Sequence, residues 1–187
     1  MILPCSCHTG DCVTGCYYSN KPVFEKENKK KNASELKLQE DVISPFFAGI
    51  VTGFVMGEGS FYISISASKT HKVGYQLRPK FQINLAKKDA DILEKFRLFF
   101  GCGKVVFDQN SVRYVVSRFK DLMEKVIPFF DEYSLENIKA LDFQYFKLIC
   151  YKLAAGEGKS TEGIQRIISI REEMNGGGCK TRKNIQF

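Results

Sequence analysis

The chain is short of histidine, lacks a paired C-x2-C knuckle, and contains no apolar run approaching the ~18–20 residues of a membrane helix. Each shortage removes a class of function. His8 and His71 are too few and too isolated to act as bases in a Ser/His or Cys/His constellation. No membrane partner is expected. The first residues carry neither a basic n-region nor an apolar h-region of roughly 7–15 residues, so export is not expected either. Cysteine is plentiful but poorly spaced for metal. Cys5, Cys7, Cys12 and Cys16, with His8 among them, leave open a zinc site, a leader inherited from upstream coding sequence, or adventitious disulfides. Cys102, Cys150 and Cys179 are dispersed, and Cys150, among apolar neighbours on a helical pattern, reads as a packing residue.

What is present fits one domain with an appendage. The length is 187 residues, against a usual ~150 per domain, and 44% hydrophobic with 26% charged residues allows a proper core. A formal charge of +7 and a pI near 9.0 point to a polyanionic partner such as nucleic acid, although an acidic membrane surface would attract the same charge. Residues 1–43 read as a Cys-rich, then charged, extension holding Lys29, Lys30 and Lys31, and residues 44–187 as the folded domain with a basic tail.

From Ser44 the periodicity becomes informative. Ser44 is a good N-cap and Pro45 a good first helical residue, so a helix is predicted from there to the Gly57 and Gly59 pair. SFYISISASK alternates, with Ser60, Tyr62, Ser64, Ser66 and Ser68 on one face. YQLRPKFQINLA repeats the pattern with Gln76, Arg78, Lys80, Gln82 and Asn84 opposite Leu77, Phe81, Ile83 and Leu85. THKVG is the turn between them. KKDADILEKFRLFFG follows as an amphipathic helix stopping at Gly101. GKVVFD and SVRYVVS then make a second hairpin across Gln109 and Asn110, with Lys104 and Arg113 outward and Asp108 as the acidic exception. Three helical segments complete the chain. Pro128 should kink or divide the first, and the last should begin on Ser160 and end at Gly176. The predicted order is αββαββα plus two helices, an α+β fold whose antiparallel sheet has one face under helices and one face open.

The open face has the chemistry that duplex DNA requires. Arginine and lysine suit guanine, amides suit adenine, and hydroxyls suit either. An ordinary solvated sheet also turns polar residues outward, but it mixes signs of charge, whereas the outer face of the second strand carries no acid.

The first helix is odd in a second way. Gly49, Gly53 and Gly57 stand four apart, a stripe without side chains that costs nearly ~1 kcal/mol per glycine relative to alanine. A close helix partner offsets that cost, and a symmetric dimer supplies the same helix twice, with Gly49, Thr52, Gly53 and Met56 at the contact. Glu58 then falls at the negative end of the helix dipole, a conflict that a divalent cation resolves. The ordinary alternative is a solvated acid at a helix end.

VTGFVMGEG, residues 51–59, resembles the signature of the LAGLIDADG homing endonucleases, with Gly53, Gly57, Glu58 and Gly59 in the expected places. EKVIPFFDEY and KALDFQYFKLI resemble later helices of that family, and KTRK resembles its basic C-terminal loop. The chain departs from the pattern at Val51 and Thr52, where Leu-Ala is usual, and at Met56, where an acid is common. The resemblance implies an αββαββα core and a homodimer that cleaves both strands of a long pseudo-palindromic site. Glu58, helped by the Gly57 carbonyl, would bind Mg²⁺, with Ca²⁺ supporting binding without cleavage. Lys147 matches the family's basic residue near the scissile phosphate. The family's water-positioning residue aligns by counting with Leu85, leaving Gln82, Asn84 or Lys88 as substitutes. Lys180, Arg182 and Lys183 would contact phosphates. YKLAAGEGKS mimics a second motif, but with 27 residues beyond Ser160 it reads as a helix end and loop, hence a dimer. Family habit places such proteins in organelles or microbes. An RNA-splicing maturase acting on intron RNA, or a non-cleaving binder on the same scaffold, is the alternative, and a zinc-dependent module is a third class resting on the N-terminal cysteines alone.

Overall fold

The computed structural model describes residues 44–71 and 73–177. The N-terminal extension, its cysteines and His8, Lys72 in the first turn, Cys179, and the basic residues Lys180, Arg182 and Lys183 lie outside the described residues. Helix α1 spans Pro45–Glu58, capped by the Ser44 hydroxyl, which accepts from the Phe47 amide at 3.2 Å. It runs straight into β1, Gly59–Ala67. Gly59 is extended, at φ −74° and ψ 150°, so no left-handed residue ends the helix. Glycine is needed there for closeness instead, because a Cβ would meet the Val55 Cγ1 at 2.6 Å and the Val55 carbonyl oxygen at 2.7 Å.

A turn at residues 68–74, closed by the Ser68 amide donating to the Gly74 carbonyl at 2.8 Å, leads to β2, Tyr75–Ala86. A short 3-10 turn, Lys87–Asp89, opens helix α2, Ala90–Phe100, which stops at Gly101 as predicted, with that glycine left-handed at φ 58°. Strands β3, Lys104–Phe107, and β4, Ser111–Val116, form the second hairpin. The sheet is antiparallel in the order β1-β2-β4-β3.

Pro128 does not break the run that follows. An α-turn over Phe119–Asp121 passes through a π-helical stretch, Leu122–Val126, into helix α3, Ile127–Glu132, which has the proline in its first turn. The wider π turn absorbs the position where proline offers no N–H. Helix α4, Asn137–Ala154, a 3-10 turn Glu157–Lys159, and helix α5, Thr161–Gly177, complete the chain, with the Ser160 hydroxyl capping α5 through the Gly163 amide at 3.1 Å. The second-motif mimic is therefore the end of α4 and a turn, as expected. Its Glu157 is occupied by Lys152 at 3.0 Å and Arg166 at 3.4 Å, which hold its carboxyl below the ordinary carboxylate range.

The helices bury one face of the sheet under an aromatic core. Phe61 of β1 stacks on Phe81 of β2 at 5.1 Å and meets Phe130, Phe143 and Phe146 from α3 and α4 at 5.3–5.5 Å. Phe47 of α1 meets Phe96 of α2 at 5.8 Å. Cys150 is buried in this core, which pushes its thiol up to about 12 and fits the packing role read from its neighbours. With the inner face filled, no described helix covers the opposite face of the sheet.

Candidate nucleic-acid interface and active site

The strand register assembles the predicted outer residues into rows. Ser60 pairs with Gln82, Tyr62 with Lys80, Ser64 with Arg78 and Ser66 with Gln76. Across β2 and β4, Gln82 pairs with Val115 and Asn84 with Arg113, and Val115 in turn pairs with Lys104 of β3. Thus Ser60, Gln82, Val115 and Lys104 make one row across all four strands. Ser68 lies just beyond β1, its hydroxyl 2.7 Å from the His71 Nδ1 in the turn.

These side chains brace one another. Tyr62 donates its hydroxyl to the Gln82 Oε1 at 3.3 Å, and the Lys80 ammonium lies 5.8 Å from the centre of the Tyr62 ring. Burial raises the Tyr62 phenol above its ordinary value, with Arg113 pulling the other way, so it remains a donor at neutral pH. Arg78 donates to the Gln76 side-chain oxygen at 2.6 Å. Asp108, the one acid among the described outer-face residues, pairs with Arg113 at 2.9 Å. It therefore orients an arginine rather than standing alone.

Two outer-face residues, Val106 and Val115, escaped the sequence reading. The same alternation that turns Lys104 and Arg113 outward also turns these valines outward, so the signal was present but masked by their apolar character.

Glu58 is the last residue of α1, exposed, adjacent to Gly59, which pairs with Ile83 one position before the Ser60 and Gln82 row. It makes no ion pair with another described residue. The last carbonyls of a helix lack intrahelical donors, so this corner offers a carboxylate and backbone oxygens, the donor set that Mg²⁺ or Ca²⁺ prefers. Among the described residues no three His, Cys, Asp or Glu side chains converge on one point.

Lys147 on α4 is 24% exposed and donates to Asp131 of α3 at 2.5 Å, with its ammonium 5.9 Å from the Tyr151 ring. It is an ion-paired lysine in this structure. Leu85, the counted match for the water-positioning residue, points to the inner side, into an open cleft of about 530 Å³ that also contains Phe54, Lys88, Ile92 and Lys95. Of the substitutes, Gln82 and Asn84 are on the outer face and Lys88 lines this cleft.

The glycine stripe is real and bare. Gly49, Gly53 and Gly57 are exposed, and a Cβ on any of them would meet nothing within 4 Å. Phe46, three residues before Gly49, is 79% exposed on the same side, a feature the sequence reading passed over. Thr52 requires correction as a contact residue. It is 9% exposed and its hydroxyl donates to the Ala48 carbonyl at 2.9 Å, so it faces the protomer's own core, as Ala48 does. Met56 is half-buried against that core, at the border of the stripe.

Residues 51–150 match the family model described as LAGLIDADG endonuclease. The chain is 32% identical over 136 residues to probable intron-encoded endonuclease 2 of Neurospora crassa, and 34% identical over 137 residues to probable intron-encoded endonuclease 3 of the same fungus. Each match covers 71% of this chain but only 30% and 25% of the relative, so the chain spans about a quarter to a third of these curated relatives. Among solved structures, the homing endonuclease I-TnaI is 36% identical with a TM-score of 0.67, over 70% of this chain and 89% of that one. I-SmaMI, solved bound to an uncleaved DNA target in the presence of calcium ions, is 28% identical with a TM-score of 0.68, over 71% of this chain and 46% of that one. The chain belongs to the LAGLIDADG endonuclease family.

Proposed function

We propose that the chain is a homing endonuclease that cuts both strands of a long pseudo-palindromic DNA site by metal-dependent phosphodiester hydrolysis, working as a homodimer. The observation that carries this reading is Glu58: an exposed carboxylate at the end of a bare glycine-striped helix, next to the first row of an acid-poor sheet face. The DNA-bound state of I-SmaMI supports a DNA target, and the intron-encoded relatives fit an organellar or microbial host.

Glu58, with the Gly57 carbonyl, would hold the divalent cation, Mg²⁺ for cleavage and Ca²⁺ for binding alone. Bound there, the cation supplies charge neutralisation at the scissile phosphate and lowers the pKa of a coordinated water. The sheet's outer residues position the duplex through base edges and phosphates. Gln82, its oxygen already engaged by Tyr62, keeps its amide N–H groups for a base or a water near Glu58. Lys147 would share its charge between Asp131 and a phosphate. The stripe would seat the same helix of a second copy, which brings two Glu58 carboxylates together, one for each strand.

Cleavage of a randomised duplex library with Mg²⁺, with Ca²⁺ and without metal, followed by sequencing of the cut ends, tests this. One long near-palindromic site with short 3′ overhangs, cut only with Mg²⁺, is expected. Binding without cutting in any metal would sink the nuclease reading and direct the next assay to structured intron RNA.

A further inference from the structure

The β3–β4 hairpin carries a checkerboard on the open face. Lys104 lies opposite Val115, and Val106 lies opposite Arg113, so two cations occupy one diagonal and two half-buried valines the other. Arg113 is held by Asp108 at 2.9 Å, which fixes the guanidinium plane and leaves its other N–H groups for a partner. In the major groove, Arg or Lys suits guanine O6 and N7, and the thymine C5-methyl group is the apolar feature that an aliphatic side chain can recognise. The spacing fits. Alternate residues on a strand stand ~6.8 Å apart and neighbouring strands ~4.8 Å apart, against ~3.4 Å per base pair, so each valine reaches within about two base pairs of a cation.

We propose that Val106 and Val115 read thymine methyl groups beside guanines contacted by Arg113 and Lys104, making this hairpin a selector of adjacent thymine and guanine. The inference rests on the endonuclease reading for its DNA target and adds the base class that one hairpin recognises. An outer-face valine that served only strand propensity would be indifferent to the methyl group.

The test uses the full chain and the duplex it selects from a randomised library in Ca²⁺ at fixed salt. Each thymine is replaced singly by deoxyuridine, which removes the methyl group alone, and each guanine by 7-deazaguanine, which removes N7. At one or two thymines per half-site the affinity should fall about fourfold, the value of burying one methyl-sized group. Those thymines should lie within about two base pairs of a guanine whose 7-deaza penalty disappears in Arg113→Ala. The uracil penalty should vanish in Val106→Ser or Val115→Ser, which remove both γ-methyl groups from the open face and leave the buried face of the sheet untouched. Tight binding with every uracil tolerated, or a penalty unchanged in both valine variants, overturns the assignment while leaving the endonuclease reading intact. Failure to bind any duplex overturns both.

Discussion

Glu58 and Lys147 are separable at the level of single residues. Glu58→Gln preserves size and removes charge, so DNA binding should be retained in a filter or anisotropy assay while Mg²⁺-dependent cutting is abolished; a variant that cuts at the normal rate removes Glu58 from the mechanism. Lys147 is tied to Asp131 in the absence of DNA. If it serves the scissile phosphate, Lys147→Met should slow cleavage at saturating DNA by ~10²–10³-fold, as loss of one electrostatic donor does, with little change in Kd. A change confined to Kd would mark it as a binding residue. On the open face, Arg78→Ala and Gln82→Ala should each cost ~1–3 kcal/mol at particular base pairs, read by selection from a library. A uniform loss across sequences would mean that these side chains touch phosphates only.

Among the elements, α1 carries two opposed demands. Its buried side, Phe47, Ala48, Val51 and Val55, belongs to the protomer core, whereas the glycine side has open space at every Cβ. Gly53→Leu should therefore leave the protomer folded by circular dichroism and abolish the dimer by light scattering. A dimeric variant would refute the stripe as the contact. Helix α5 secures the free edge of the sheet in a complementary way. Arg171 donates to the Ile63 carbonyl at 3.0 Å, the Asn175 side chain donates to the Phe61 carbonyl at 3.4 Å, and the buried Asp142 accepts from the Asn175 amide at 2.6 Å. Asp142, 3% exposed, has a structural reason for its charge type. Asp142→Ala should cost ~1–3 kcal/mol in denaturant unfolding by removing the charged acceptor of this part-buried bond. The Glu157 network at the α4–α5 turn behaves differently with pH. Its folded pKa is depressed by Lys152 and Arg166, so its contribution is present above the ordinary carboxylate range and lost as pH falls through the lowered folded value. Glu157→Gln should accordingly flatten the acid limb of the stability profile and leave its shape above neutral pH unchanged.

For the whole molecule, the charge of +7 makes affinity a function of salt. Each phosphate contact contributes about −0.9 to the slope of log K against log salt, so removing Lys180 or Lys183 should weaken all duplexes alike and flatten that slope by about one each. Among the described residues no helix is long and apolar enough to cross a membrane. The two hairpins and the two-layer architecture were legible from alternation in β1, β2 and β4, from the cap at Ser44 and from the stop at Gly101, because side-chain period and capping are local properties, whereas the β2–β4 pairing that orders the sheet was not. Pro128 was only partly legible: its missing N–H was plain, but its accommodation by a π turn depends on the surrounding helical packing.

The site divides along the same line. The amino-acid sequence by itself determined which residues share the open face, the motif that carries Glu58, and the bareness of the stripe at Gly49, Gly53 and Gly57, since each follows from residue type and period. Only the tertiary structure decided the rest. Strand register set Val115 between Gln82 and Lys104, helix packing turned Thr52 inward, and Lys147 found Asp131 across 16 residues of chain. Partners distant in sequence are chosen by how elements dock, and no local pattern encodes that choice.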